Sequence, residues 1–117
     1  MQVRLLFALL FTFNTAFGQT KTHLLIGTYT AGKSEGEYVY DFNTTTGDNN
    51  FISSIKVDNP SYLTVSPNKK MVYAVTENAD SLKMGVGGEI SALSFNKAKG
   101  TLTFVNKQFS GGKHPCY

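Results

Sequence analysis

Asn59-Pro60-Ser61-Tyr62-Leu63-Thr64-Val65-Ser66-Pro67-Asn68-Lys69-Lys70-Met71-Val72-Tyr73-Ala74-Val75-Thr76-Glu77-Asn78 carries the strongest structural signal in the chain. It has the pattern of two strands joined by a tight turn. Tyr62, Thr64 and Ser66 fall on one face of the first strand, Leu63 and Val65 on the other, which is the two-residue period of β structure. Ser66-Pro67-Asn68-Lys69-Lys70 is a turn, with proline presetting φ and Asn68 tolerant of left-handed geometry. Met71 to Val75 is a nearly continuous apolar run of β-branched and aromatic residues, suited to a strand covered on both faces. Glu77 and Asn78 close it with polar groups where such a strand reaches the surface.

The flanking sequence repeats this texture. Residues 23–29, 36–43, 51–57, 89–95 and 102–109 are short apolar or alternating runs, with Tyr38, Tyr40 and Phe42 sharing one face. Glycine-containing polar segments separate them: 30–36, 44–50 around Gly47, 79–88, and a turn around Gly100. No window has the 3.6-residue period of a capped helix, so the chain is all-β.

At 117 residues the chain has room for one small domain, and its 41% hydrophobic content is that of a globular protein rather than a disordered one. The net charge of +3 comes from dispersed lysines, only Lys69 and Lys70 being adjacent. A nucleic-acid partner, which needs basic residues gathered on one face, is therefore not expected. The single cysteine, Cys116, excludes an intrachain disulfide framework. Residues 1–18 have the form of a signal peptide. Arg4 gives a positive start, Leu5 to Phe13 an apolar stretch, and Ala16 and Gly18 small residues where a signal peptidase cuts. A membrane span needs about 20 apolar residues, so no membrane association is expected after cleavage. The expected location is periplasmic or extracellular, and a buried N-terminal strand is the other reading.

The strands themselves recur. Gly36-Glu37 returns as Gly88-Glu89 at an offset of 52, while Asp41-Phe42-Asn43, Thr45-Thr46-Gly47 and Phe51 return as Ser94-Phe95-Asn96, Ala98-Lys99-Gly100 and Phe104 at 53. Asn59-Pro60-Ser61-Tyr62 is echoed by His114-Pro115-Cys116-Tyr117 at 55. About fifty residues holding four short strands is the period of a β-propeller blade. The expected architecture is a propeller of four-stranded antiparallel blades, about two of which are present here.

The motifs Leu25-Ile26-Gly27-Thr28-Tyr29-Thr30, Gly36-Glu37-Tyr38-Val39-Tyr40-Asp41-Phe42, Asn59-Pro60-Ser61-Tyr62-Leu63, Val72-Tyr73-Ala74-Val75-Thr76-Glu77-Asn78 and Gly112-Lys113-His114-Pro115-Cys116 occur in this order. Together they resemble the opening of the seven-bladed propeller lactonases, the 6-phosphogluconolactonase type related to a carboxymuconate-cyclising enzyme. Members are about three times as long, so the resemblance implies a truncated chain, residues 19–117 being the N-terminal part of the propeller with the remaining blades missing. It further implies a small-molecule lactone substrate, no cofactor, and substrate-binding arginines in the missing blades. As a fragment the chain is expected to be inactive.

Lactone hydrolysis needs a base to activate water and electrophilic help at the carbonyl. Glu77, at the end of the apolar strand, is the candidate base, burial being expected to raise its pKa. A carboxylate holding a loop or pairing with Lys83 is the alternative. His114, preceding Pro115 at the start of an innermost strand, is the candidate for polarising a carbonyl or relaying a proton, or else simply bonds a neighbouring loop. Asn59 holds the equivalent place one repeat earlier and cannot act as acid or base.

Other signals carry less. Gly85-Val86-Gly87-Gly88 lacks the βαβ setting of a phosphate loop. His114 and Cys116 lack the second ligand pair of a zinc site. Asn43-Thr44-Thr45 has the form of a glycosylation acceptor but sits in a repeated turn, Ser53, Ser61 and Ser66 lack a nucleophile elbow, and His23 is expected to be structural. A sugar-lactone hydrolase acting in glucose metabolism is the leading functional expectation. Export argues for a non-phosphorylated lactone. A non-catalytic exported propeller that binds a ligand or protein, and a self-assembling β module, are the alternatives.

Overall fold

The computed structural model describes residues 22–77 and 88–116. Seven strands make up this part: β1 (Thr22–Gly27), β2 (Gly36–Phe42), β3 (Asn49–Lys56), β4 (Pro60–Val65), β5 (Met71–Thr76), β6 (Glu89–Asn96) and β7 (Thr101–Phe109). They form two antiparallel sheets, β1-β2-β3 and β4-β5-β6-β7, each strand pairing with the next in sequence. Residues 1–18, where a signal peptide is expected, Lys83 and most of the glycine run at 85–88 lie outside the described residues.

The hairpin β4–β5 forms where expected, with one difference at its turn. The left-handed residue is Lys69 (φ 57°), not Asn68. Asn68 instead accepts the Lys70 N–H at 3.0 Å, while the Ser66 hydroxyl accepts the Met71 N–H at 2.9 Å. A short side-chain acceptor can hold a turn without adopting the strained conformation itself.

The two sheets pack face to face. His23, Leu25, Gly27, Glu37, Val39 and Asp41 alternate onto the side of the first sheet that meets the second. Val72, Ala74 and Thr76 of β5, with Ser91, Leu93 and Phe95 of β6, form the opposing side. Val57, Val72, Ala74 and Leu93 are the buried centre, lined by Leu25, Ile55, Leu63, Phe95 and Leu102. Ser53 donates to the Gly100 carbonyl across the seam at 2.7 Å. His23 sets its ring edge-on to Phe95, with centroids 5.5 Å apart, and lies 3.6 Å from Asp41, the structural role expected of it.

The sheets are copies. β3 carries an unpaired residue at Ile52 and β7 carries one at Val105, 53 positions apart. Bulges at matching places are strong markers of a shared blade plan. β1, β2 and β3 therefore correspond to β5, β6 and β7, and the first sheet lacks a counterpart of β4 among the described residues. At this register Glu37 corresponds to Ile90 and not to Glu89, so the 52-residue match of the two Gly-Glu pairs is off by one. In a strand one residue is a change of face: Glu37 occupies the blade face that carries Ile90 in the second sheet, whereas Glu89 lies on the opposite blade face with Ser91 and Leu93, so the two glutamates enter the same seam from opposite sides.

Each sheet also presents an apolar outer face. Ile26 and Phe51, the latter edge-on to Tyr40, lie on one, and Tyr62, Tyr73 and Ile90 on the other, all at least 37% exposed. On the outer side of residues 71–75 Val75 is buried but Tyr73 is exposed and Met71 half-buried, so the cover expected on both faces is complete only toward the first sheet. The missing cover belongs to a neighbouring blade on each side, since blades bury their faces only against each other.

Glu37 is fully buried, and neither carboxylate oxygen has a hydrogen-bond partner among the described residues. Burial pushes its pKa up from 4.5 to about 7. Between those values the folded chain holds a proton that the unfolded chain releases. The stability of the neutral form is therefore fully present below pH 4.5 and is lost as pH rises through about 7. Unfolding free energies from urea titrations should fall by roughly 2 to 3 kcal/mol between pH 5 and pH 8, and Glu37→Gln should abolish most of that slope. An unchanged slope in the variant would contradict the assignment.

Candidate functional site

The polar residues singled out in the sequence gather at one end of the seam. The chain leaves β1 through Gly27 into Thr28-Tyr29-Thr30, enters β4 through Asn59-Pro60-Ser61, and leaves β5 at Glu77. Backbone contact is close here. A Cβ on Gly27 would overlap the Pro60 carbonyl oxygen, so only glycine lets the first sheet end this near the start of β4.

Glu77 is the centre of the cluster. Tyr29, 48 residues earlier and on the other sheet, donates its phenolic proton to Glu77 Oε2 at 2.7 Å. The hydroxyl of Ser61 is a second donor to the same carboxylate, and His114 adds a smaller Coulombic contribution. The Tyr29 hydrogen bond, then that of Ser61, holds the Glu77 carboxyl below its ordinary value, with His114 adding to the effect. This reverses the sequence expectation. Glu77 faces solvent at the strand end, so donors to the charged form outweigh desolvation and the group stays ionised. The same hydrogen bond, followed by the carboxylate's charge, raises the pKa of Tyr29.

His114 lies in the segment after β7, which forms no strand among the described residues, and its nearness to Glu77 has a structural cause. Pro115 packs so closely on Gly88 that a Cβ there would strike its ring and approach the Thr76 carbonyl oxygen at 2.6 Å. That contact seats the His-Pro segment beside the end of β5. His114 is left-handed (φ 49°), as is Asn59 (φ 42°), its equivalent one repeat earlier. Both precede a proline, and the shared strain marks a corner that recurs in the two repeats.

Asn59, set aside in the sequence as chemically inert, is a junction. Its Oδ1 accepts the Thr30 N–H and the Thr30 hydroxyl, both at 2.9 Å, and its carbonyl oxygen accepts the Glu77 N–H at 3.1 Å. Tyr29 and Ser61 were not picked out as functional by sequence reasoning. Their partner is 48 residues away in one case and on a neighbouring strand in the other, and no local spacing announces either contact. Among the described residues no group of three or more His, Cys, Asp or Glu is placed to hold a metal ion. Asn43 accepts the N–H groups of Thr45 and Thr46 at 2.9 and 3.2 Å, the turn chemistry expected of it.

A family model described as "Lactonase, 7-bladed beta-propeller" matches residues 23–117. The chain belongs to this propeller lactonase family. A Bacillus subtilis 6-phosphogluconolactonase is 35% identical over 96 residues, which cover 79% of this chain and 25% of that protein. A solved Bacteroides uniformis structure of the 6-phosphogluconolactonase type aligns at 40% identity and a TM-score of 0.77, over 85% of this chain and 27% of its own. The periplasmic gluconolactonase of Pseudomonas aeruginosa aligns at 33% identity and a TM-score of 0.70, over 80% of this chain and 26% of its own. The chain thus spans about a quarter of the length of the curated relatives it matches. The three- and four-stranded sheets are blades of this lactonase propeller, the first having three strands among the described residues.

If Tyr29 is the main group depressing the Glu77 pKa, Tyr29→Phe should raise it toward the ordinary carboxylate value. A pH titration of the Glu77 side-chain carbon by NMR reads this directly. A titration curve that does not move would show that another group stabilises the charge.

Proposed function

We propose that the protein carrying this chain hydrolyses a sugar lactone, with Glu77 and His114 as catalytic residues and Tyr29 and Ser61 completing the site. The observation that carries this reading is the 2.7 Å hydrogen bond from Tyr29 to Glu77, which joins two blades at the end where the chain also delivers Ser61 and His114. Names borne by the relatives, 6-phosphogluconolactonase and periplasmic gluconolactonase, support the reaction class.

In this mechanism the Glu77 carboxylate accepts a proton from water as the water oxygen bonds to the lactone carbonyl carbon. Tyr29 and Ser61 hold the carboxylate in place through its other lone pairs, and an ionised base is available down to acidic pH. Collapse of the tetrahedral adduct breaks the bond from carbonyl carbon to ring oxygen. His114, in its protonated form, delivers a proton to that oxygen, so that lactone and water become a hydroxy acid. Catalysis is a property of the longer protein, because the two blades present only part of a ring. The apolar segment of residues 5–13 behind Arg4 and the periplasmic relative support an exported enzyme and a non-phosphorylated lactone.

The low pKa of Glu77 favours one alternative, a propeller that binds a hydroxylated ligand without turnover, since a weakened base is a better acceptor than catalyst. Hydrolysis of D-glucono-1,5-lactone by the full-length protein separates the two. Glu77→Gln should lower kcat by about 100-fold or more if Glu77 is the base. Activity of the variant equal to wild type would remove Glu77 from the mechanism. Tight binding without turnover in the wild type would establish the binding module.

A further inference from the structure

We infer that Asn59 is the positioning residue of the site, a clasp that holds Tyr29 and Glu77 at hydrogen-bonding distance across the seam between blades. The inference rests on the hydrolytic reading for its functional meaning, but its geometry stands independently. Asn59 is bonded to both halves of the dyad. Its side-chain oxygen receives two hydrogen bonds from Thr30, the residue after Tyr29, and its main-chain oxygen receives the N–H of Glu77 itself. The Thr30 hydroxyl also lies 3.4 Å from the Asn59 N–H, so side chain and backbone of the two residues interlock.

The conformation of Asn59 is what makes both connections possible. At φ 42° the backbone is left-handed, a state that costs most L-residues about 1 kcal/mol or more but suits asparagine. The restriction imposed by Pro60 makes that state less accessible still. Strain retained at a residue that bonds the loops of two blades is the arrangement expected of a part that sets geometry. The neighbouring contact leaves no slack: Gly27 abuts the Pro60 carbonyl oxygen, so the loop carrying Tyr29 cannot shift along the seam without opening it. Other anchors of this loop lie within the first sheet. Thr28 bonds Ser34 at 2.5 Å and the Gly36 carbonyl at 3.1 Å, which fixes the loop to its own blade and not to Glu77. Asn59 therefore supplies the link between blades that aligns donor with acceptor, and a small misplacement of a catalytic group costs rate steeply.

Two substitutions separate the side chain from the backbone. Asn59→Gly keeps the left-handed corner and removes the acceptor, whereas Asn59→Asp keeps an acceptor for both Thr30 donors. In the full-length protein, Asn59→Gly should raise the pKa of Glu77 measured by NMR, because Tyr29 no longer stays on the carboxylate. It should also move the acid limb of the pH profile for D-glucono-1,5-lactone in the same direction and lower kcat about tenfold with KM little changed. Asn59→Asp should retain most of the wild-type kcat. If Asn59→Gly does not fold, Thr30→Ala removes one of the two donors and should move the Glu77 titration the same way by less. A folded Asn59→Gly protein with the wild-type Glu77 titration overturns the clasp. Absence of lactone hydrolysis in the wild type, with the Glu77 titration still moved by Asn59→Gly, overturns the hydrolytic reading and leaves the clasp standing.

Discussion

The constraint beneath this structure is that a four-stranded blade has two faces and cannot bury either alone. Val39, Val57, Val72, Ala74 and Leu93 are buried because the second sheet lies against the first. Each CH2 removed from water there contributes about 0.8 kcal/mol, but only while the sheets stay in contact. The seam then dictates what meets at its end. Tyr29 belongs to one blade and Glu77 to the other, and a hydrogen bond between them exists only if the packing below is in register. Fold and candidate site are in this sense one object.

Glu37 shows the same dependence with the opposite sign. At the position where the second blade carries Ile90, the first carries a carboxyl, buried and without a partner among the described residues. A group in that situation is held neutral by its surroundings rather than stabilised by them. It makes the seam sensitive to pH near neutrality, in contrast to Glu77, whose donors keep it charged to well below that range. Two glutamates near one end of one seam are thus driven apart in pKa by burial in one case and hydrogen bonding in the other.

Much of the architecture was legible in the sequence because strand formation is local. The alternation through residues 59–78, the glycine and asparagine turns and the fifty-residue recurrence each report on a few neighbouring residues. What escaped depends on contacts distant in sequence or on the parity of a strand. Matching the Gly-Glu pairs by identity put Glu37 and Glu89 in the same role, and a one-residue offset reversed their faces. Glu77 and His114 were chosen as residue types able to move protons, and the fold does bring them near each other. The expected rise in the Glu77 pKa failed because Tyr29 and Ser61, which decide its sign, lie on other segments. Asn59 was passed over for its lack of acid-base chemistry, yet its left-handed backbone and three accepted hydrogen bonds make it the point where the site is tied together.

A candidate site assembled across the seam between two blades makes Tyr29 and Glu77 depend on each other. A double-mutant cycle on Tyr29→Phe and Glu77→Gln in the full-length protein, read as kcat/KM for lactone hydrolysis, tests this dependence most directly. The two substitutions should be strongly non-additive, with a coupling of about 1 kcal/mol or more, because either one breaks the same contact. Effects that simply add would mean that Tyr29 and Glu77 act separately, and the claim of a shared site would fall.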